Sequence, residues 1–181
     1  MNYPINTVRQ MFPALNRKYK GKTVAYFDGP GGSQVVSTVI EAMADYMRRG
    51  GANVHQPFAS SLETDAHIVE AKKAIADLVN CKWQEVAFGP TSTNLAFAIA
   101  RAISKDWKPG DEIVVTDLDH RCNVDPWLTA ARDKGVTVRW LETDLNTFTL
   151  DLSNLHTIIN EKTVLVAAGL ASNTIGTIND A

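Results

Sequence analysis

The sequence predicts an α/β fold, a three-layer sandwich built on a mostly parallel β-sheet. Three observations predict it. From residue 85 onward short apolar runs alternate with segments of helical periodicity. Glycines stand where such units turn, at Gly110 and Gly135. The runs "EIVVTD" and "TVLVAAGL" are apolar almost throughout, as strands buried on both faces are.

The elements follow in order. "NTVRQMFPAL" predicts a helix capped by Asn6 and ended by Pro13, because proline has no N–H to continue it. "VAYFD" (24–28) predicts a short strand, and "GPGGS" a loop. Between Gln34 and Arg49, Val35, Val36, Val39, Ile40, Met43, Tyr46 and Met47 recur at helical spacing, and Gly50-Gly51 stops the helix. "GGANVHQPFAS" is a second loop. Ser60 with Glu63 forms a capping-box pattern for a helix through Asn80, with Ile68, Val69, Ile75, Leu78 and Val79 facing inward. Strands are then expected at 85–88, 112–117, 136–142 and 163–170, and helices at 93–103, 123–134 and 151–162. The chain stops at "SNTIGTINDA", a strand-to-helix turn. The helix that would cover the last strand is missing, which predicts that these residues are part of a longer protein.

Composition narrows the function classes. The 181 residues are 45% apolar and 21% charged, as in an ordinary globular chain. A net charge of −2 with scattered Lys and Arg gives no nucleic-acid footprint. No apolar run reaches the roughly 18–20 residues that span a bilayer, and the polar start is unlike a signal peptide. Cys81 and Cys122 are too few for a disulfide framework. A cytoplasmic protein with no membrane or nucleic-acid partner is expected.

Ligands of open parallel sheets bind beyond the carboxyl ends of the strands, where this chain places "GPTSTN", "LDHRCN" and "ASNTIG". In "GPTSTN", Ser92 and Thr93 open a helix whose free N–H groups and dipole suit a phosphate. A plain N-cap at Thr91 or Ser92 is the commoner explanation of that segment alone. Neither this stretch nor "GPGGSQ" has Walker or dinucleotide-binding spacing. In "TDLDHRCNVDPW" a metal site lacks ligands, since His55, His67 and His156 show no ligand spacing. A Cys122–His120 nucleophile pair is disfavoured, because residues two apart at a helix start diverge. There remain a cap, made by His120 or Asp119, and a flat imidazole offered to a planar ring.

Five stretches in order, "YFDGPGGSQV", "ANVHQPFAS", "VAFGPTSTNLAF", "DLDHRCNVDPW" and "LASNTIGTIND", cover Tyr26 to Asp180. Together they resemble the class V aminotransferase branch of the pyridoxal-phosphate enzymes, most closely its cysteine desulfurase-like proteins. The resemblance implies the fold type I large domain: residues 1–24 an N-terminal arm and 25–181 the first part of the cofactor-binding domain. It implies pyridoxal 5'-phosphate as cofactor in the intact protein, an amino acid as substrate, and a homodimer. By the same resemblance Ser92 and Thr93 match the pair that holds the cofactor phosphate. His120 matches the histidine that stacks on the pyridine ring and shuttles protons. Asn173 matches the asparagine that contacts the phenolic oxygen and the substrate carboxylate. Gly31 and Gly32 match a loop near the substrate, and His55 a loop histidine near the active site. Gln56 departs from the arginine that desulfurases often carry there. The family's pyridine-binding aspartate, Schiff-base lysine, nucleophilic cysteine and small C-terminal domain lie past the position of Ala181, so this chain alone is expected not to complete the reaction. The implied activity is that of a lyase or transferase, with C–S or C–Se cleavage first and aminotransfer or epimerisation as alternatives. A non-catalytic phosphate-binding α/β fragment is the remaining alternative.

Overall fold

The computed structural model describes residues 3–180. The chain divides into two compact units, one through Ala87 and one from Phe88.

In the first unit, α1 (Ile5–Gln10) starts after Pro4 rather than at an Asn6 cap, and a 3-10 turn at Pro13–Asn16 follows. A two-residue hairpin joins β1 (Lys18–Tyr19) to β2 (Lys22–Thr23) through Lys20 and Gly21, both at positive φ. That tight turn is what the glycine permits. The strand expected at 24–28 does not form. The Val24 N–H bonds Arg17 O at 3.0 Å, but no ladder continues from it, and Phe27 is 95% exposed. Strand-like composition needs a partner edge, and the hairpin supplies one only to residues 18–23.

Helix α2 (Ser37–Arg49) ends at Gly50 with φ +79°, as the periodicity predicts. Helix α3 (Ala59–Val79) ends on Asn80 in the left-handed region. The capping box at Ser60 is absent, because the helix begins two residues earlier, with Phe58 in the N-cap position. Ser61 does related work instead: its buried hydroxyl accepts the Gln56 N–H at 2.9 Å and ties the preceding loop down. The inward face expected of α3 is also corrected. Ile68, Ile75, Leu78 and Val79 are exposed, as are Val39, Ile40, Met43 and Met47 of α2. Helical spacing makes a helix amphipathic, but burial requires a second layer.

The second unit carries the sheet. A 3-10 turn (Trp83–Glu85) precedes it, and the strand expected at 85–88 does not form, because the turn consumes its first residue and Val86–Phe88 pair with no strand. Helix α4 (Ser92–Ile103) is capped by Thr91, whose hydroxyl accepts the Asn94 N–H at 3.1 Å. Strand β3 (Glu112–Thr116) follows, then α5 (Asp125–Lys134) and β4 (Thr137–Leu141). A small antiparallel pair, β5 (Thr143–Asp144) and β6 (Thr149–Leu150), leads to α6 (Leu155–Ile158) and β7 (Thr163–Val166). The helix expected over 151–162 shrinks to one turn, since Asp151 and Asn160 use their side chains to cap turns, on Ser153 and Lys162 respectively.

The sheet runs β4-β3-β7, parallel throughout, as expected. All five residues of β3 are buried. Ile113 and Val115 pack with Ala100 of α4, with Trp127, Ala130 and Ala131 of α5, and with Ala167. Val114 faces the other way, into Leu141 and Leu150, with Leu155 and Ile158 of α6 against them. Each fully buried Val or Ile contributes roughly 1.5–3 kcal/mol. The strand order forces this two-sided cover. Moving from β3 to β4 on one side, and then back past β3 to β7, puts α5 and α6 on opposite faces, because parallel crossovers are right-handed.

At the amino end of the sheet, buried Glu112 accepts from both Arg139 and Asn160. One oxygen takes Arg139 Nη2 at 2.9 Å, and the other takes Arg139 Nε and Asn160 Nδ2, the latter at 2.8 Å. Charge-assisted hydrogen bonds from Arg139, then Asn160, hold its pKa down at about 2.

Candidate functional site

The carboxyl end of β3 is where the chain changes direction across the sheet, the place where open α/β folds hold ligands. Strand β3 ends at Thr116, and the next residues fold back on it. The Thr116 hydroxyl donates to Asp119 Oδ2 at 2.6 Å and accepts the Asp119 N–H at 3.1 Å. That closed ring delivers His120 in an extended conformation at the head of the 3-10 turn Arg121–Asn123.

His120 Nδ1 accepts the Cys122 N–H at 3.1 Å. A ring nitrogen that accepts carries no proton, so the neutral imidazole has its proton on Nε2. The cap and the platform are therefore compatible: the bond that caps the turn also fixes the exposed ring. Cys122 meets the histidine through its backbone N–H, which removes the reason to pair its thiol with the imidazole. Among the described residues no group of three His, Cys, Asp or Glu side chains could hold a metal.

Helix α4 packs against the turn that follows His120, and its far end leads through Ser104–Asp106 to the start of β3. It runs antiparallel to the strand, so Ser92 and Thr93 begin at the sheet edge where β3 ends. The Thr91 cap takes the Asn94 N–H and leaves the first N–H groups of the helix pointing outward. Neither the Ser92 nor the Thr93 hydroxyl bonds a described residue. Ser92 is exposed and Thr93 half-buried.

Asn173 sits at the tip of a small hairpin beyond β7. Ala171 bridges Ile178, and the Ser172 N–H bonds Thr177 O at 2.9 Å. The Ser172 hydroxyl accepts the Thr174 and Ile175 N–H groups, which turns the tip and leaves Asn173 exposed. Gly169, at the root of this hairpin, donates its N–H to Asp119 Oδ2 at 2.8 Å. The structure thus ties the segments carrying His120 and Asn173 together at one sheet edge, with the start of α4 at the same end.

Gly31, Gly32 and His55 belong to the first unit. Gly31 and Gly32 turn back on the Asp28 carbonyl, and a Cβ at Gly31 would strike the Asp28 carboxylate. His55 lies at φ +65°, with its backbone N–H and Nδ1 both on Asp65 of α3, at 2.9 and 3.0 Å. All three are exposed.

Sequence reading missed Asp119 as a link and missed Asn179 altogether. Asn179 is buried; its Nδ2 donates to Gly169 O at 2.7 Å and its Oδ1 accepts the Leu150 N–H at 3.0 Å. Their partners stand 50, 10 and 29 residues away, outside any local pattern.

Comparison with known proteins bears on the family and the fold. The family described as aminotransferase class-V matches residues 25–181. The chain belongs to that family. Among curated relatives of this class-V chain, the aminotransferase-like protein FGM3 of Gibberella zeae is 33% identical over 99% of the chain and 44% of its own length. A cysteine desulfurase of Serratia proteamaculans is 32% identical over 99% of the chain and 45% of its own length. Among solved structures, the apo cysteine desulfurase of Thermococcus onnurineus NA1 superposes with a TM-score of 0.86 at 30% identity, covering 99% of the chain and 43% of that protein. The cysteine desulfurase CsdA of Escherichia coli gives 0.82 at 25% identity, covering 99% and 44%. The expected fold, part of the type I transferase large domain, is the one these neighbours have. The class-V chain spans under half the length of the relatives it matches.

Proposed function

We propose that this chain supplies one wall of a pyridoxal-phosphate site in an enzyme acting on an amino acid, a cysteine desulfurase or selenocysteine lyase-like activity in the whole protein. The observation that carries it is the start of α4, with unengaged Ser92 and Thr93 hydroxyls at the sheet edge that also bears His120. In this reading the Ser92 and Thr93 N–H and hydroxyl groups hold the phosphate, with the helix dipole adding to their attraction. His120 lies against the ring face, its orientation set by the Cys122 N–H, and its Nε2–H is free to donate a proton. Asn173 donates to the phenolic oxygen and to the substrate carboxylate. When bound, the cofactor supplies an electron sink for charge developing at the substrate Cα.

The donor set fits the group: a phosphate needs several convergent donors, and the helix start offers backbone and hydroxyl ones without competing acceptors. The Gibberella relative, an aminotransferase-like protein, supports aminotransfer as the second reading. Two copies of the chain working as a homodimer in the cytoplasm complete the proposal. The apolar side chains that α2 and α3 leave exposed support the pairing.

Titration of the chain with pyridoxal phosphate tests the site, followed by absorbance with and without borohydride. Reversible binding that borohydride does not trap is expected. Ser92→Ala and Thr93→Ala should each weaken it about tenfold, since hydrogen bonds to a charged group are worth roughly 1.5–3 kcal/mol. Unchanged binding in the double variant, or selective binding of nucleotides instead, would overturn the reading.

A further inference from the structure

Gly169 is gripped from both sides. Its N–H donates to the Asp119 carboxylate and its carbonyl accepts from the buried Asn179 side chain. A side chain at position 169 would collide with the Asp119 carboxylate, so the grip requires the glycine. Asp119 in turn accepts three donors with its two carboxylate oxygens. Oδ2 takes the Thr116 hydroxyl and the Gly169 N–H, while Oδ1 takes Asn123 Nδ2 at 3.3 Å. Asn123 then passes the constraint on, accepting Trp127 Nε1–H at 3.3 Å from the buried face of α5.

We infer that Asp119 is a positioning residue: its carboxylate locks the turn carrying His120 and the hairpin carrying Asn173 into one register across the β3–β7 edge. Asn179 holds the carbonyl side of Gly169 and anchors it to β6. The geometry requires a carboxylate. Thr116, Gly169 and Asn123 all present donors, and only an acceptor on every side satisfies the three. An amide at 119 would set an NH2 against one of them. His120 lies next to Asp119, and Asn173 four residues past Gly169, so a slip at this joint changes their separation without breaking the sheet. The consequence for cofactor binding rests on the function proposed above; the joint itself does not.

Asp119→Asn in the full chain is the test, read by NMR and amide exchange beside the parent. The Gly169 amide should exchange at least about tenfold faster, given the weight of a charge-assisted bond. The His120 Cε1–H and Asn173 side-chain amide resonances should shift, while amides of the β3–β4 pair keep their protection. Asn179→Ala should reproduce the shift at Asn173. Pyridoxal-phosphate affinity should fall about tenfold, by the same energy. A protected Gly169 amide with both resonances unmoved would overturn the inference. So would a lowered melting temperature with those resonances unmoved, which is what a merely structural role gives. Moved resonances with unchanged cofactor affinity would likewise end the positioning role. If the parent itself fails to bind pyridoxal phosphate, the proposed function falls, and the exchange and resonance data still decide the joint.

Discussion

At the scale of single residues, His120 shows how one bond serves two ends. Its Nδ1 accepts the Cys122 N–H, which caps the turn and leaves the other face and Nε2 outward. His120→Ala removes both the cap and the ring. A capping side chain is worth about 1 kcal/mol, small against the buried strand it follows. The variant should therefore keep β3 and β4 amides protected while pyridoxal-phosphate binding weakens severalfold, measured by exchange and by titration. Full cofactor affinity in that variant would remove the platform role. A histidine, small hydroxyls and an asparagine were legible as residue types, and the structure leaves Ser92, His120 and Asn173 exposed in loops or at a helix start. Asp119 was legible only as a local cap, because its decisive partner, the Gly169 N–H, is backbone and carries no sequence signature.

At the scale of elements, helices were read better than strands. Helices α2, α4 and α5 lie close to their expected bounds, because their stop signals are local. Gly135 shows this: it closes α5 at φ +68°, its N–H donating to Arg132 O and the following Val136 N–H to Ala131 O. Gly135→Ala should lower stability by about 1 kcal/mol, the cost of a left-handed backbone for an L side chain, read by chemical denaturation. An unchanged midpoint would mean the helix end rearranges. The strands expected at 24–28 and 85–88 failed for a shared reason. A strand is a pairing, and neither stretch belongs to a sheet among the described residues. The helix expected at 151–162 lost most of its length to Asp151 and Asn160, whose side chains prefer turns.

At the scale of the whole molecule, ionisation ties the sheet's amino end to stability. Glu112 is buried between Arg139 of β4 and Asn160 ahead of β7, so it links all three strands. Its pKa is lowered from 4.5 to about 2, by the Arg139 and then the Asn160 hydrogen bonds. A depressed carboxylate stabilises the fold fully above its unfolded pKa and loses that effect as pH falls through the folded one. Stability should thus decline from about pH 4.5 down to about pH 2, as the linked pKa values require. Glu112→Gln should flatten that decline and lower stability at neutral pH. A variant with the parent's acid limb would show that another carboxylate controls it.

What the sequence determined by itself was local in origin: helices with their caps and stops, the alternation that makes a parallel sheet, and the chemical character of the loops at its carboxyl edge. Order along the chain was enough to reveal the family, since five short stretches in series are specific where each alone is weak. Tertiary structure decided which apolar runs became strands, which helical faces were covered, and which polar groups were joined. Those outcomes depend on partners distant in the chain, as Gly169 is from Asp119 and Asn160 from Glu112. Their energy is that of paired donors and acceptors removed from water, a quantity set by three-dimensional proximity and by no window of neighbouring residues.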